Sequence, residues 1–211
     1  MKYKLTNIQL EYEMIRSKTL ADMAYSVYSS GKEFAYDHVM RSEVVIFKKD
    51  TDTRKNVKVD AQKRSLKAIL LLFIEPYGDG ARDSEKYVFP DLRKVSVTIN
   101  DSPNMIYNNG VEGKDMWEEA QRFFVKEENK TVHMDATKFY IGDNFGLQVD
   151  MRSMADQEMH GSGKRLVNST DGVQLEIERK AEGSGNVNCH VFVIADSQFN
   201  IMDRQLESVQ N

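Results

Sequence analysis

The chain holds a single cysteine, Cys189, among 211 residues. No disulfide can form within it, no thiolate zinc site can be built, and a reducing environment suits it. Long apolar runs are also missing. The longest, Ala68–Ile74 (AILLLFI), is seven residues, against the roughly 20 that a bilayer-spanning helix needs. Met1-Lys2-Tyr3-Lys4 is followed by no apolar region, so no secretory signal is read, and the sequons at Asn100, Asn129 and Asn168 are taken as chance. Neither sign of charge dominates: 29 Lys and Arg stand against 33 Asp and Glu, a net charge of −4. That balance advertises neither nucleic acid nor an anionic membrane as the main partner.

Histidine is scarce too, with four in the chain, and none sits where catalysis needs it. His38 follows Asp37, and Cys189 precedes His190. Neighbours in a strand point to opposite faces, so neither pair makes a dyad. His133 and Asp135 form one His-x-Asp, more simply a solvated pair than a metal site. His160 opens His160-Gly161-Ser162-Gly163-Lys164-Arg165, which lacks the early glycine and the Ser or Thr after lysine that a phosphate loop requires. No His-x-His occurs, the pair that metal-dependent jelly-roll enzymes use. No enzyme, no cofactor and no metal is read from the residues.

What is present is mostly strand pattern. Ile8, Leu10, Tyr12 and Met14 alternate, as do Phe34, Tyr36 and His38, and Val44–Phe47 is a compact β-branched and aromatic run. Ser65–Tyr77 is apolar on both faces and of strand length, which predicts a central, best-buried strand. Val95, Val97 and Ile99 alternate ahead of the turn residues Asn100-Asp101-Ser102-Pro103. Further strands are predicted at Lys138–Ile141, Phe145–Met151, Val173–Ile177 and Cys189–Val193. Residues 48–64 carry the most basic stretch and read as a charged loop leading into an exposed strand around Val57 and Val59, or as an edge strand guarded by lysines.

Two amphipathic helices interrupt the strands. Ser17 caps the first, with Leu20, Met23, Ala24, Val27 and Tyr28 at helical spacing and Gly31 to end it. The second runs from about Gly113 to Lys126, with Met116, Ala120, Phe123 and Phe124 on one face and Trp117 beside it. Without alternating strand and helix units a parallel sheet is disfavoured. The expectation is an all-β fold, an antiparallel eight-stranded jelly-roll sandwich with two inserted amphipathic helices.

Several strings resemble a known family. Asn7–Ile15 (NIQLEYEMI), Gly31–Met40, Arg64–Tyr77, Pro103–Trp117 and His160–Asn168 are similar to the C-terminal portion of the major capsid proteins of Polinton (Maverick) elements. The tail from Asn188 to Gln210 is similar as well. These elements are large virus-like DNA transposons of animal genomes. The resemblance implies two consecutive jelly rolls per subunit, three subunits per capsomer and a pseudo-hexagonal block of an icosahedral shell. Residues 1–211 then form one domain, matching the second jelly roll.

On that reading the chain is a structural protein that works by surface complementarity. It forms a homo-oligomer, as a trimer or ring, or packs on a companion jelly-roll domain. No membrane partner is expected, and nucleic acid enters only indirectly, through an enclosed genome. The expected location is the cytoplasm or nucleus, or a virion-like particle. Met105, Tyr107, Trp117, Met154 and Met159 are the candidate interface residues, with core packing as the alternative for each. The competing function is a domesticated jelly roll that binds glycans or proteins without catalysis.

Overall fold

Strand after strand in this chain places β-branched, leucine or aromatic side chains at every second position, so each can bury one face, and two such sheets stack. A computed structural model describes residues 16–29, 32–49, 51–61, 63–76, 86–100, 102–103, 109–124, 135–152, 163–166, 172–180, 185–202 and 205–209. Helix α1 (Lys18–Ser29) leads into β1 (Lys32–Phe47), β2 (Arg54–Val59), β3 (Lys63–Ile74) and β4 (Leu92–Ile99). After the short strands β5 (Ser102–Pro103) and β6 (Val111–Glu112) come α2 (Met116–Phe124) and α3 (Ala136–Ile141). The chain continues through β7 (Gly146–Asp150), β8 (Lys164–Leu166), β9 (Val173–Arg179), β10 (Val187–Met202) and β11 (Gln205–Val209). The predicted strand at 7–15 lies outside the described residues.

The pairing is nested. β1 pairs with β10, β2 with β9, β3 with β7, and β4 with β5 and β6, every pair antiparallel. The first sheet has the order β1-β10-β3-β7 and the second β2-β9-β4-β5. Successive strands β1 to β4 alternate between the sheets; on the return β7 and β8 lie in the first, β9 in the second, and β10 and β11 in the first. A ribbon of nested antiparallel pairs wrapped across two facing sheets is a jelly roll, and the expected fold class holds.

β3 lies between β10 and β7, as its two-sided apolar run predicted. Ile69, Leu71 and Phe73 point inward with Val191, Val193, Leu147 and Val149, none more than 1% exposed. They meet Val57, Val59, Val95, Val97, Leu175 and Ile177 of the second sheet. Here the charged-loop reading of residues 48–64 is corrected: β2 is an edge strand, but Val57 and Val59 alternate into the core rather than into solvent.

Lys138–Ile141 is also corrected, from strand to helix. The Asp135 carboxylate accepts the Lys138 N–H at 2.8 Å and caps α3, while the Gly142 N–H closes it on the Lys138 carbonyl. In a strand Phe139 and Ile141 would share a face; in the helix Phe139 is buried and Ile141 stands exposed. The turn at Asn100 is as expected. Its φ of 51° lies in the left-handed region that Asn tolerates, and its Oδ1 accepts the Gly172 N–H at 2.8 Å. At Gly113 a Cβ would lie 2.3 Å from the Leu92 carbonyl oxygen, so only glycine lets β6 leave so close to β4.

Candidate assembly face

The chemistry-bearing residues are spread over the sandwich rather than gathered. Cys189 points into the core, where burial pushes its thiol well above the usual range, while half-buried His190 occupies the opposite face of β10. Asp37 and His38 likewise part: His38 takes the inward register beside Ala195, while Asp37 faces outward to Lys67. Among the described residues no group of three or more His, Cys, Asp or Glu is placed to hold a metal ion. His133 and His160 lie outside the described residues.

Three charged groups are buried among the described residues: Arg152 is held by the Asp150 carboxylate, and Lys67 and Arg179 serve geometry. Lys67 is the extra residue of a bulge, since β3 skips a register position between its partners Ile194 and Ala195. Its ammonium lies 2.7 Å from Asp37 and 2.5 Å from Asp196, two carboxylates that face each other directly across β1 and β10. Ser65 donates to Asp196 and accepts the Gly163 N–H. Burial alone would lower the Lys67 pKa; the two carboxylates outweigh it and raise it. Arg179, at the end of β9, donates to the carbonyls of Asp52, Gly185 and Lys48 and lies 5.2 Å from the centre of the Phe47 ring. One guanidinium thereby joins the β1–β2 connection to the segment entering β10.

The outer faces of the two sheets differ in kind. The second sheet is charged: Glu178 and Glu112 stand directly opposite Lys94 in the register, and Arg54 pairs with Glu176 at 2.6 Å. At one end of it a cleft of about 800 Å³ has a floor of Phe89, Leu92 and Tyr140. Its rim carries the ion pairs Arg93–Glu178 (3.2 Å) and Lys114–Glu112 (3.4 Å), together with Lys94 and Lys180. The Tyr140 hydroxyl donates to the Gly113 carbonyl and accepts the Trp117 N–H, and burial raises its pKa.

Beyond the Asp37–Asp196–Lys67 cluster the outer face of the first sheet is largely apolar, interrupted by Arg41, His190 and Asn188. Its cross-strand rows read Val39–Ile194–Ala68, Arg41–Phe192–Leu70, Val44–His190–Leu72 and Ile46–Asn188–Ile74. Val39, Val44 and Ile46 are 57%, 41% and 61% exposed, while Leu70, Leu72, Ile74, Phe192 and Ile194 are half-buried. Gln148 shares the row of Leu70 on β7 and is buried, with no partner for either amide atom among the described residues. Helix α1 adds Leu20, Met23 and Tyr25, all more than half exposed. Exposed apolar side chains gathered on one sheet face mark interaction sites.

Of the residues singled out from sequence, Trp117 is half-buried on α2 and packs against the core. Met105, Tyr107, Met154 and Met159 lie outside the described residues. Val39, Val44 and Ile46 were not singled out. The signal for Val44 and Ile46 is the apolar run Val44–Phe47, which leaves no parity polar; Val39 lies outside it.

No protein-family model matches the sequence, and no curated protein does. Solved structures are similar in fold. The PBCV-1 virus capsid, a quasi-atomic model, superposes with a TM-score of 0.55 at 9% identity, over 92% of this chain and 55% of that one. The crystal structure of PBCV-1 VP54, fitted into a reconstruction of the virophage Sputnik, gives 0.50 at 9% identity over 86% of this chain and 52% of that one. The mavirus major capsid protein gives 0.48 at 8% identity, over 85% and 41%. The chain spans about half the length of these capsid chains. The nested pairing and the superposition on PBCV-1 agree that this chain has the jelly-roll fold found in viral capsid proteins.

Proposed function

We propose that this protein is a capsid-type structural protein, a jelly roll whose task is to pack against like domains through surface complementarity. The observation that carries the reading is the open apolar outer face of the first sheet, with Val39, Val44 and Ile46 exposed on it. A sheet apolar on both faces is stable in water only when both are covered. Here the second sheet covers one. The fold likeness to PBCV-1 capsid chains nearly twice as long leaves room in such chains for a second domain of similar size.

In this reading residues 1–211 are one jelly-roll domain, equivalent to the second of a pair in Polinton-type major capsid proteins. The chain self-assembles as a trimer or ring, or is covered by a companion jelly roll. No catalytic step, cofactor or metal is assigned to it. The cleft over Phe89 and Tyr140 favours the second reading, a binding module for a glycan or protein partner, because aromatic floors with polar rims suit sugars.

Light scattering behind size exclusion, over a hundredfold concentration range at two salt levels, separates the two. The structural reading expects defined multimers that grow with concentration. A 24.3 kDa monomer throughout, with saturable glycan binding lost in Tyr140→Ala, would replace it with the second.

A further inference from the structure

We infer that the cleft at the end of the second sheet binds a sugar acid, a pyranose that carries one carboxylate. The inference rests on the glycan-binding reading of this cleft and names its ligand. It holds whether or not the chain assembles, because no residue of the first sheet's outer face lines the cleft. The walls are tied to one another by hydrogen bonds. The Gly113 N–H donates to the Arg93 carbonyl at 2.9 Å, the Tyr140 hydroxyl donates to the Gly113 carbonyl at 2.7 Å, and the Lys180 N–H donates to the Asp91 carbonyl at 2.9 Å. A site built beforehand in this way loses little binding energy to ordering itself. Its volume of about 800 Å³ falls within the roughly 300–1,000 Å³ of small-molecule sites.

The floor and the rim then select the ligand. Phe89 and Tyr140 meet edge to face with ring centres 4.9 Å apart. The Tyr140 hydroxyl is engaged as donor by Gly113 and as acceptor by Trp117, so this side chain offers the cleft its ring. The negative face of an aromatic ring attracts the C–H groups on one side of a pyranose. Around the floor stand four cations, Arg93, Lys94, Lys114 and Lys180, and two carboxylates, Glu112 and Glu178. That leaves the rim net positive in a chain whose net charge is −4. Lys94 stands between Glu112 and Glu178 in the register, but those carboxylates pair with Lys114 and Arg93. The ammonium groups of Lys94 and Lys180 have no ion-pair partner among the described residues.

The positive excess of Lys94 and Lys180 is what a ligand carboxylate answers, while Glu112 and Glu178 keep lone pairs that accept from sugar hydroxyls. A neutral sugar leaves that excess unmatched. A nucleotide or another polyanion sets its further charges against the two glutamates, like charge on like. One negative charge, several hydroxyl donors and one apolar face together meet every part of the site.

The test is an NMR titration of the full chain with methyl glucuronide and with methyl glucoside, a pair that differs only in the carboxylate at C6. Lys94→Gln and Lys180→Gln are titrated beside Lys58→Gln, which lies on the second sheet but does not line the cleft. Thermal melting confirms that each variant folds. The expected result is a glucuronide affinity about tenfold above that of the glucoside, lowered in both cleft variants, unchanged in Lys58→Gln, and accompanied by shifts at the amides of Gly113 and Lys180. Equal affinities for the two sugars overturn the inference and leave the cleft a neutral-glycan site. Glucuronide binding that neither cleft substitution weakens overturns it by placing the site elsewhere. If neither sugar binds, the glycan-binding reading of the cleft falls with it.

Discussion

Arg179 shows how much one buried side chain can hold. It carries its charge into the sandwich edge, and three backbone carbonyls from two connections depend on it. Arg179→Met keeps much of the stem but leaves those carbonyls unpaired, so a loss of about 3 kcal/mol in denaturant unfolding is expected, each orphaned group costing about 1–3. Lys67 makes a prediction with a sign. Its pKa is raised in the fold, so the stability it lends is complete below its unfolded value of about 10.4 and is lost as pH rises through the higher folded value. Lys67→Met leaves Asp37 and Asp196 opposed and should cost about 3 kcal/mol at neutral pH. Denaturation midpoints measured between pH 8 and 12 should show the gap between wild type and variant narrowing only above about pH 10.4. A gap that stays constant would mean that the ammonium is not held by the two carboxylates.

At the scale of elements, legibility followed burial on two faces. β3 was placed centrally from its sequence because seven apolar residues in a row leave no side for water. β1 and β10 are 16 residues each, yet they read as fragments. Asp37, Arg41 and Glu43 break the pattern in one, Asp196 and Ser197 in the other, and only their mutual pairing makes them continuous. α3 was misread because Lys138–Ile141 is too short to show a period. The decisive signal was the capping Asp135, three residues before the Lys138 N–H it accepts. Asp135→Ala should therefore cost about 1 kcal/mol. The loss is expected to appear first as faster amide exchange at Lys138 and Phe139, while the sheets keep their protection. The assembly face was legible in part: the apolar runs that placed β3 and the end of β1 also implied a second apolar face. Methionine and aromatic residues in connections are conspicuous in sequence without any register, whereas Val39, Val44 and Ile46 come together on one face only once β1 is paired with β10.

The whole molecule is a sandwich with one wet and one dry exterior. The charged outer face of the second sheet is complete in water, since its ion pairs satisfy one another. The dry face is not, and Leu20, Met23 and Tyr25 stand exposed on α1 as well. Association driven by that surface has a recognisable dependence on conditions: it persists or strengthens in sulfate, whereas ion-pair contacts weaken as salt screens them. The most direct measurement is sedimentation velocity of the wild type and of Ile46→Lys, over a hundredfold range of concentration, in low salt and in added sulfate. The account predicts reversible self-association of the wild type that sulfate strengthens and that Ile46→Lys removes without lowering the melting temperature. A wild type that stays monomeric in every condition, or an Ile46→Lys variant that assembles as well as the wild type, would contradict it.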